Sequence, residues 1–474
     1  MSERIDCDIA VIGAGIAGIT AATGSALLGA KTVLIERGRP GGLRLASDLP
    51  LQALAAAARH ATAWREAAEF GIRHEDPDID FTAVMRRIAS VVGNQALNDS
   101  ADRLAAFGIN LLQGEARFTA PDTVAVGNTS IVARRFVIAS GARPVRPGIP
   151  GLNNISCLTP TSLFALKERP LHLLIVGGGR TGVACAQGFR RIGVKVTLIE
   201  EGHFLARHDP ELRDLLVEAL RADSVTLYEK TVIAQAENSV PGIVITLRHA
   251  DGSSTRVAGS HLLLAAGWEA DIAALDLPAA GIVSGPQGIA VDRHLRTANR
   301  RVYAIGAAVD PQAGTAVAMH HAGVALKNIL LRLPASAADS ALASLVPGDP
   351  ELACVGLNEH DARRRHGNIR ILRRPFALNE RAIADGRSEG LLKVITTPQG
   401  RILGAAAVGS QAAEVLQPWA LAIGKRLGIG AMQAMIAPLP ARGSTASQAA
   451  TDFYRPKLFS PLVKRIVQFL ARFD

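Results

Sequence analysis

The stretch that decides the fold runs from Ile9 to Glu36 and reads IAVIGAGIAGITAATGSALLGAKTVLIE. It contains a short β-branched run, three glycines (Gly13, Gly15 and Gly18), a helix of small residues and a second strand that ends on the acid. In this fingerprint the first glycine permits a tight turn, the second admits a pyrophosphate, and the third lets helix and strand pack closely. The acid accepts hydrogen bonds from a ribose. The stretch therefore predicts a strand–helix–strand unit that binds a dinucleotide.

A second copy of the pattern runs from Leu173 to Glu200 and reads LLIVGGGRTGVACAQGFRRIGVKVTLIE. Its glycines are Gly177, Gly179 and Gly182, and an acid again ends the second strand. One copy alone is weak evidence, because an ordinary glycine-rich turn between strand and helix can have this pattern, whereas two copies with the same spacing indicate two bound dinucleotides. The negative charge of Glu200 repels the 2′-phosphate of NADPH, so the second site favours NADH.

Length and composition indicate a multi-domain globular protein. The chain has 474 residues, of which 48% are apolar and 20% are charged, and such a chain can bury sizeable cores. The net charge of +10 comes from scattered arginines, and only 4% of residues are aromatic, so no nucleic-acid partner is expected. The four cysteines are far apart in the sequence, so no metal site is expected. Charged residues near the N-terminus break any signal sequence, and we expect a cytoplasmic location.

Further motifs follow the fingerprints in a set order. They are Gly41-Gly42, Gly114-Glu115-Ala116, VIASGARP (Val137–Pro144), LLLAAGWEAD (Leu262–Asp271), TANRRVYAIGAA (Thr297–Ala308) and the C-terminal text from Asp349 to Leu416. Together they resemble, from end to end, the pyridine nucleotide–disulfide oxidoreductases, the group of dihydrolipoamide dehydrogenase and mercuric reductase. The resemblance implies an α/β fold with two Rossmann-like dinucleotide-binding domains, for FAD and NAD(P), and an α+β C-terminal interface domain that forms a homodimer.

The same resemblance implies the domain boundaries and the cofactor contacts. Residues 1–150 and 271–345 would bind FAD, residues 151–270 would bind NAD(P), and residues 346–474 would form the interface domain. The cofactors are then FAD and NAD(H). Besides the two sets of fingerprint glycines, with Glu36 and Glu200, the matching motifs place these residues at the cofactors: Gly42, Ala116, Ser140, Gly141, Gly267, Gly306 and Ala307.

The chain departs from the family where the redox disulfide should be. The family's GGTCxxxxCxPSK motif places two cysteines beside the flavin, whereas this chain reads GGLRLASDLPLQ from Gly41 to Gln52. The segment is one residue shorter before Pro50, and no register supplies a cysteine. Because a thiolate attacks disulfides and binds mercury, reduction of these substrates by the family's route is not expected. Arg44 and Asp48, four residues apart, suggest either an ion pair at this position or two exposed polar side chains.

Three more family positions are changed. Leu439 and Ser444 stand where the family has a His–Glu acid–base pair that acts on the thiols. Ala307 replaces the aspartate that holds the flavin ribityl chain. Losing one charged hydrogen bond weakens FAD binding by one to two orders of magnitude without abolishing it. Arg180 replaces the tyrosine that gates the nicotinamide pocket. The number of changes indicates an altered or abandoned reaction.

The candidate catalytic residues are Arg180, Arg44 and His320. Arg180 is either a solvated loop charge or a cation over the nicotinamide face of the flavin that binds a phosphate or an anionic substrate. His320 and His321 begin the helix that faces the flavin pyrimidine in the family, so either could contact FAD. His320 is either a general base or a packing residue.

Two functions from different classes fit these observations. The first is an FAD-dependent NAD(P)H oxidoreductase that passes electrons from reduced flavin directly to a small acceptor, such as a quinone or oxygen, without a redox disulfide. The alternative is a catalytically degenerate relative that serves as a binding or assembly partner, which the accumulated losses favour.

The C-terminal tail predicts an amphipathic helix between Phe459 and Phe473. Its apolar residues recur at i, i+3 and i+4, and its other side carries the polar residues Lys464, Arg465, Gln468 and Arg472. Such a helix either packs on its own dimer or lies on an anionic membrane surface. The second alternative adds a peripheral membrane contact to the expected cytoplasmic location.

Overall fold

The structure is a computed structural model that describes residues 3–73, 75–240, 242–337 and 342–473. The strands, in chain order, are β1 Glu3–Ile12, β2 Thr32–Glu36, β3 Ile109–Gln113, β4 Ala116–Ala120, β5 Thr123–Val126, β6 Thr129–Ile138, β7 Ala142–Pro144, β8 His172–Val176, β9 Lys195–Ile199, β10 Thr226–Tyr228, β11 Val232–Ser239, β12 Gly242–Arg248, β13 Ser254–Gly259, β14 His261–Leu264, β15 Trp268–Ala270, β16 Ser284–Gly285, β17 Gly288–Ile289, β18 Val302–Ala304, β19 Ala343–Val346, β20 Glu351–Gly356, β21 Arg370–Pro375, β22 Leu391–Thr396 and β23 Ile402–Gly409. The α-helices are α1 Ile16–Leu27, α2 Leu49–Arg65, α3 Phe81–Ala96, α4 Ala101–Ala106, α5 Arg180–Arg191, α6 Pro210–Ala222, α7 Thr315–Ile329, α8 Glu359–His366, α9 Glu380–Ala384, α10 Ala412–Gly424, α11 Ile429–Gln433, α12 Ser444–Leu458 and α13 Pro461–Leu470.

The first fingerprint forms the centre of a parallel sheet. The strand order β3-β2-β1-β6 is parallel, β18 adds to β6 in the same direction, and β5 and β4 extend the sheet antiparallel. Strand β2 and the C-terminal ends of β1 and β6 are buried and mostly apolar, as expected where both faces of a parallel sheet are covered. Helices α1 and α7 pack together closely: a Cβ on Gly24 would lie 2.4 Å from Leu326 Cδ1.

The second fingerprint forms a parallel sheet of its own, in the order β10-β9-β8-β14. Helix α5 connects β8 to β9 and packs on α2, and a Cβ on Gly188 would lie 2.7 Å from Leu54 Cγ at this contact. An antiparallel sheet, β11-β12-β13, follows in the chain. The two parallel sheets are the α/β architecture that the two copies predict.

The described chain divides into two compact units. The first comprises residues 1–203 and 223–340, and the second comprises residues 204–222 and 341–474. The segment 204–222, which the sequence analysis assigns to the NAD(P) domain (151–270), is therefore grouped with the C-terminal part of the chain. The FAD and NAD(P) portions, by contrast, share one compact unit, and their boundaries stay predictions.

The second unit is built on an antiparallel five-stranded sheet, in the order β19-β20-β23-β22-β21. Its core contains the fully buried Phe376 and Trp419, and α6 packs on β20 and β23. Lys393 on β22 is buried, with its Nζ 2.7 Å from Asp209 and 2.9 Å from both Glu211 and Glu359. Burial alone would lower the pKa of Lys393, but hydrogen bonds to the three carboxylates raise it. These ion pairs attach the start of α6 to the sheet.

Candidate cofactor and acceptor cleft

The three glycines of the first fingerprint have two different structural roles. Gly13 has a φ of +101°, and a Cβ there would lie 2.4 Å from the carbonyl oxygen of Ala139. A Cβ on Gly18 would lie 1.8 Å from the carbonyl oxygen of Gly13. A Cβ on Gly15 meets no atom within 4 Å. The first and third glycines are thus required for folding, and the second leaves open space at the N-terminus of α1, where a pyrophosphate would bind.

The second fingerprint repeats this geometry closely. Gly177 has a φ of +107°, and a Cβ added there would lie 2.3 Å from the carbonyl oxygen of Ala265. A Cβ on Gly182 would lie 1.8 Å from the carbonyl oxygen of Gly177, and one on Gly179 again meets nothing within 4 Å. Both copies therefore form the same cradle at a helix N-terminus.

The acid that ends each fingerprint is fixed by two backbone donors. Glu36 accepts hydrogen bonds from the N–H of Ala14, at 2.6 Å, and from the glycine two residues after it, at 2.7 Å. Glu200 accepts from the N–H of Gly178, at 2.6 Å, and from the glycine two residues after it, at 2.9 Å. Each carboxylate is thereby held beside its glycine turn, as the ribose contact requires.

A cleft with an open volume of about 1340 Å³ lies in front of the first cradle, and a pocket of about 430 Å³ adjoins it. The cleft and the pocket share Gly13, Glu36 and Ser140 in their linings. The Oγ of Ser140 is buried and has no hydrogen-bond partner among the described residues. A buried polar atom of this kind calls for a partner that the protein itself does not supply. With the open cradle, it fits an FAD lying along the cleft.

The predicted cofactor residues fall into two groups. Those that line the cleft are Gly13, Gly15, Glu36, Gly42, Ser140, Gly141, Gly179, Gly267 and Ala307, and Ala116 lines the adjoining pocket. Those outside both linings are Gly18, Gly177, Gly182, Glu200 and Gly306. In the second group, the three fingerprint glycines shape the turns, and Glu200 belongs to the second cradle.

The suggested ion pair between Arg44 and Asp48 is not formed, and neither side chain is fully exposed. Arg44 instead pairs with Asp99, whose side chain is 6% exposed. A buried carboxylate is costly without a positive partner, which accounts for this choice. The segment Arg44–Asp48 is a π-helical turn, in which the N–H of Leu49 donates to the carbonyl of Arg44. Such turns are frequent at functional sites.

Asp48 belongs to a second charged cluster in the cleft lining. Arg180, at the first turn of α5, places its Nη2 3.3 Å from Asp48 Oδ1. The hydroxyl of Thr315, at the start of α7, donates to Asp48 Oδ2 at 3.0 Å. All three residues line the cleft. The cluster therefore joins the segment Arg44–Asp48 to the first turns of two helices, and it presents a guanidinium to the cleft.

Comparisons with known proteins agree with this geometry. Residues 7–324 match the family described as "Pyridine nucleotide-disulphide oxidoreductase", and residues 342–450 match the dimerisation domain of the same family. The chain belongs to this family. The mercuric reductase of Streptomyces lividans is 31% identical over 420 residues, which cover 86% of this chain and 88% of the relative. The dihydrolipoyl dehydrogenase of Geobacillus stearothermophilus is 29% identical over 455 residues, which cover 94% and 96%.

A solved structure shares the fold over nearly the whole chain. The Cu(II) complex of the HOCl-induced flavoprotein disulfide reductase RclA from Escherichia coli is similar with a TM-score of 0.83 and 25% identity, covering 94% of this chain and 99% of that one. Members of the pyridine nucleotide-disulphide oxidoreductase family are enzymes that use FAD and NAD(P)H, so the predicted fold class, enzyme class and cofactors are confirmed. The dimerisation domain supports the predicted homodimer. The choice of NADH over NADPH stays a prediction.

Helix α7 begins at Thr315, so His320 and His321 lie in its second turn and not at its start as expected. Both lie outside the cleft lining, so neither is placed there as a general base. His321 is buried, and its Nδ1 accepts a hydrogen bond from the N–H of Gly306 at 3.2 Å. It thereby fixes the turn that carries Ala307. Burial lowers the pKa of His321, so the ring stays neutral and keeps this acceptor. His320 also has a pKa lowered by burial, and its Nε2 has no partner among the described residues.

None of the four cysteines, all of which are described, lines the cleft in this member of the family. Burial raises the pKa of Cys7 and of Cys354 to about 11, and that of Cys185 to about 12. Burial also raises the pKa of Cys157. Since the thiolate is the reactive form, these raised pKa values disfavour reaction of the four thiols at neutral pH.

The site residues that the sequence analysis missed include Thr315, Arg37 and Asp271. Asp271 lines both the cleft and the adjoining pocket, and it pairs with Arg37, which directly follows Glu36. Both partners of this ion pair line the cleft and the adjoining pocket. Arg37 carries a weak sequence signal, since it follows the ribose-binding acid. The position of Asp271 in the site depends on tertiary folding, because the two partners are distant in sequence.

Proposed function

We propose that this protein is an FAD-dependent NAD(P)H oxidoreductase that passes electrons from the flavin directly to a small acceptor, such as a quinone or oxygen, without a redox disulfide. The observation that carries the proposal is the composition of the cleft. At the family's thiol segment, its lining contains Leu43, Arg44 and Asp48, and all four cysteines lie outside it with raised pKa values. No thiol is then placed to carry electrons away from the flavin.

The residues of the first unit fit the two cofactors in distinct places. The open space at Gly15 and the unpartnered hydroxyl of Ser140 suit FAD, and the equivalent space at Gly179 suits the nicotinamide dinucleotide. When bound, the flavin supplies the redox chemistry, taking a hydride from the nicotinamide and releasing electrons to an acceptor. The protein needs only to position donor and acceptor.

Arg180 is the residue best placed to bind the acceptor. In the cleft, Arg180 pairs with Asp48, and Thr315 donates a hydrogen bond to Asp48. A guanidinium donates hydrogen bonds to a carbonyl or oxyanion oxygen. A quinone carries such oxygens and develops negative charge there on reduction. Arg180 would orient the acceptor and stabilise that charge.

The second cradle supports NADH as the electron donor. The carboxylate of Glu200 is held by two backbone N–H groups and cannot easily turn away from the ribose. It would accept hydrogen bonds from the ribose hydroxyls of NADH and repel the phosphate of NADPH.

A cysteine-free variant tests the proposal. Cys7, Cys185 and Cys354 are changed to alanine and Cys157 to serine, and FAD content, anaerobic reduction by NADH and turnover with a soluble quinone are measured. We expect each value to stay within twofold of the native protein, because no thiol takes part. If the variant is unstable, the thiols of the native protein are titrated before and after anaerobic reduction by NADH. Two additional thiols per chain after reduction would show a redox disulfide and contradict the proposal.

Anaerobic reduction of the flavin by NADH also distinguishes the proposed enzyme from a catalytically degenerate protein. A native protein that binds FAD but is not reduced by NADH would favour the binding or assembly role.

Arg180→Gln tests the acceptor site, with Arg143→Gln as control, since Arg143 pairs with Glu269 outside the cleft lining. We expect kcat/KM for the quinone to fall at least tenfold in the first variant only, with unchanged FAD content. Equal values in both variants would remove Arg180 from the acceptor site.

A further inference from the structure

The C-terminal helix α13 has two chemically different faces. Ser460 caps it by accepting a hydrogen bond from the N–H of Val463, and Pro461 occupies its first position, where proline is tolerated. One face carries the apolar side chains, namely Leu462, Val463, Ile466, Val467, Phe469 and Leu470, and Phe459 and Phe473 extend it at the two ends. The opposite face carries Lys464, Arg465, Gln468 and Arg472. The predicted amphipathic helix is thus formed.

The apolar face of α13 has no cover within the described chain. No residue of this helix is buried, and the side chains of Leu462, Val467 and Leu470 are 67%, 59% and 58% exposed. The match to the dimerisation domain ends at residue 450. The helix therefore lies beyond the part of the chain for which the family implies a dimer contact, and its exposed apolar face needs another partner.

The charge of this tail indicates which partner that is. Between residues 454 and 473 the chain has five basic residues, Arg455, Lys457, Lys464, Arg465 and Arg472, and no acidic one. Arg455 pairs with Asp452, whereas within the described residues Lys464 and Arg465 on α13 and Arg472 just after it make no ion pair. A helix with an exposed apolar face and an unpaired basic face suits the interface of an anionic bilayer, where apolar groups enter the acyl boundary and cations meet the headgroups.

We infer that α13 docks the protein on the surface of an anionic phospholipid membrane. The helix lies in the plane of the interface, since no helix in the described part of the chain is long and apolar enough to cross a bilayer. Each protomer of the dimer carries one copy of this helix. Docking through α13 does not depend on which electron acceptor the enzyme uses.

Vesicle binding of the full-length dimer tests the inference. Vesicles of equal parts phosphatidylglycerol and phosphatidylcholine should bind the protein at low salt and release it at high salt, and vesicles of phosphatidylcholine alone should bind it weakly. Lys464→Gln with Arg465→Gln should weaken binding by roughly fivefold per charge removed. Leu462→Asn with Ile466→Asn should abolish it, with FAD content and dimer mass unchanged.

Two controls keep the test decisive. Arg86→Gln with Arg87→Gln removes the same charge from α3, where both side chains are exposed, and should leave vesicle binding unchanged. If these changes weaken binding as much as those on α13, net charge alone attracts the protein and the inference is wrong. If Leu462→Asn with Ile466→Asn dissociates the dimer, the apolar face is a protein contact, which also overturns the inference.

Discussion

Replacing Gly15 by alanine should separate cofactor binding from folding. The backbone of Gly15 has φ −72° and ψ 177°, a conformation that any residue adopts, and an added Cβ meets no atom within 4 Å. The apoprotein should therefore fold normally, with a Tm within a few degrees of the native apoprotein. The methyl group would occupy the space that a pyrophosphate needs to approach the N-terminus of α1.

The size of the effect follows from the hydrogen bonds that the methyl group displaces. A pyrophosphate at this N-terminus accepts charge-assisted hydrogen bonds from backbone N–H groups, each worth about 1.5–3 kcal/mol. Displacing two of them costs about 3–6 kcal/mol, which lowers FAD affinity by roughly two to four orders of magnitude. We expect the purified Gly15→Ala protein to lack the visible absorbance of flavin, and calorimetric titration of the apoprotein with FAD to measure the weaker binding.

The second cradle and the third glycine supply matched controls. Gly179→Ala has the same extended backbone and open surroundings, and it should keep FAD while its reduction by NADH slows strongly. Gly18→Ala should fail to fold, because its Cβ would lie 1.8 Å from the carbonyl oxygen of Gly13. Full flavin occupancy in Gly15→Ala, or loss of FAD in Gly179→Ala alone, would refute the assignment of the two fingerprints.

Three other residues give measurable outcomes. Glu200→Ala should narrow the preference for NADH over NADPH by roughly ten- to a hundredfold in stopped-flow flavin reduction, since it removes charged hydrogen bonds to the ribose; faster reduction of the native protein by NADPH would contradict this. The pKa of His321 is lowered from 6.5, so the unfolded chain binds more protons and stability should fall as pH drops below about 6.5. Thermal unfolding of His321→Ala should lack this part of the pH dependence, and an unchanged slope would show that His321 is not its source. Lys393→Met should lower the free energy of unfolding by about 3–5 kcal/mol, because it leaves three carboxylates without their buried cation. Urea unfolding measures this against Lys425→Met at an exposed position, and equal losses in both variants would argue against the buried cluster.

The parts of the fold that could be predicted from the sequence are those set by local rules. The fingerprint predicts a strand, a helix and a strand between Ile9 and Glu36, and the structure has β1, α1 and β2 there. The glycine spacing also predicts which backbone positions must lack a Cβ, because Gly18 approaches the carbonyl of Gly13 within one unit. The tail helix follows from its apolar periodicity, with its start at Pro461 set by the Ser460 cap.

Tertiary partners could not be predicted in the same way. Arg44 has an acidic residue, Asp48, four positions later, and the local rule predicts that the two form an ion pair. Arg44 pairs with Asp99 instead, because the buried carboxylate of Asp99 would pay a larger desolvation cost without a cation. Asp48 then pairs with Arg180, which another part of the chain brings into the cleft. Local spacing cannot rank such competing partners, since burial decides between them. The cytoplasmic location expected from the sequence stays a prediction.

Because α6 belongs to the second unit, the ribosome makes this helix well before the sheet on which it packs. The helix ends at Ala222, whereas the first strand on which it packs, β20, begins at Glu351. At roughly 5–20 residues per second, synthesis of the intervening stretch of about 130 residues takes roughly 6 to 26 seconds. During this interval the side chains of Leu212, Leu216 and Leu220, buried in the finished protein, have no sheet to cover them. The nascent chain therefore exposes an apolar helix face until its last quarter is made, and chaperones that bind such faces should meet this protein at that stage of translation.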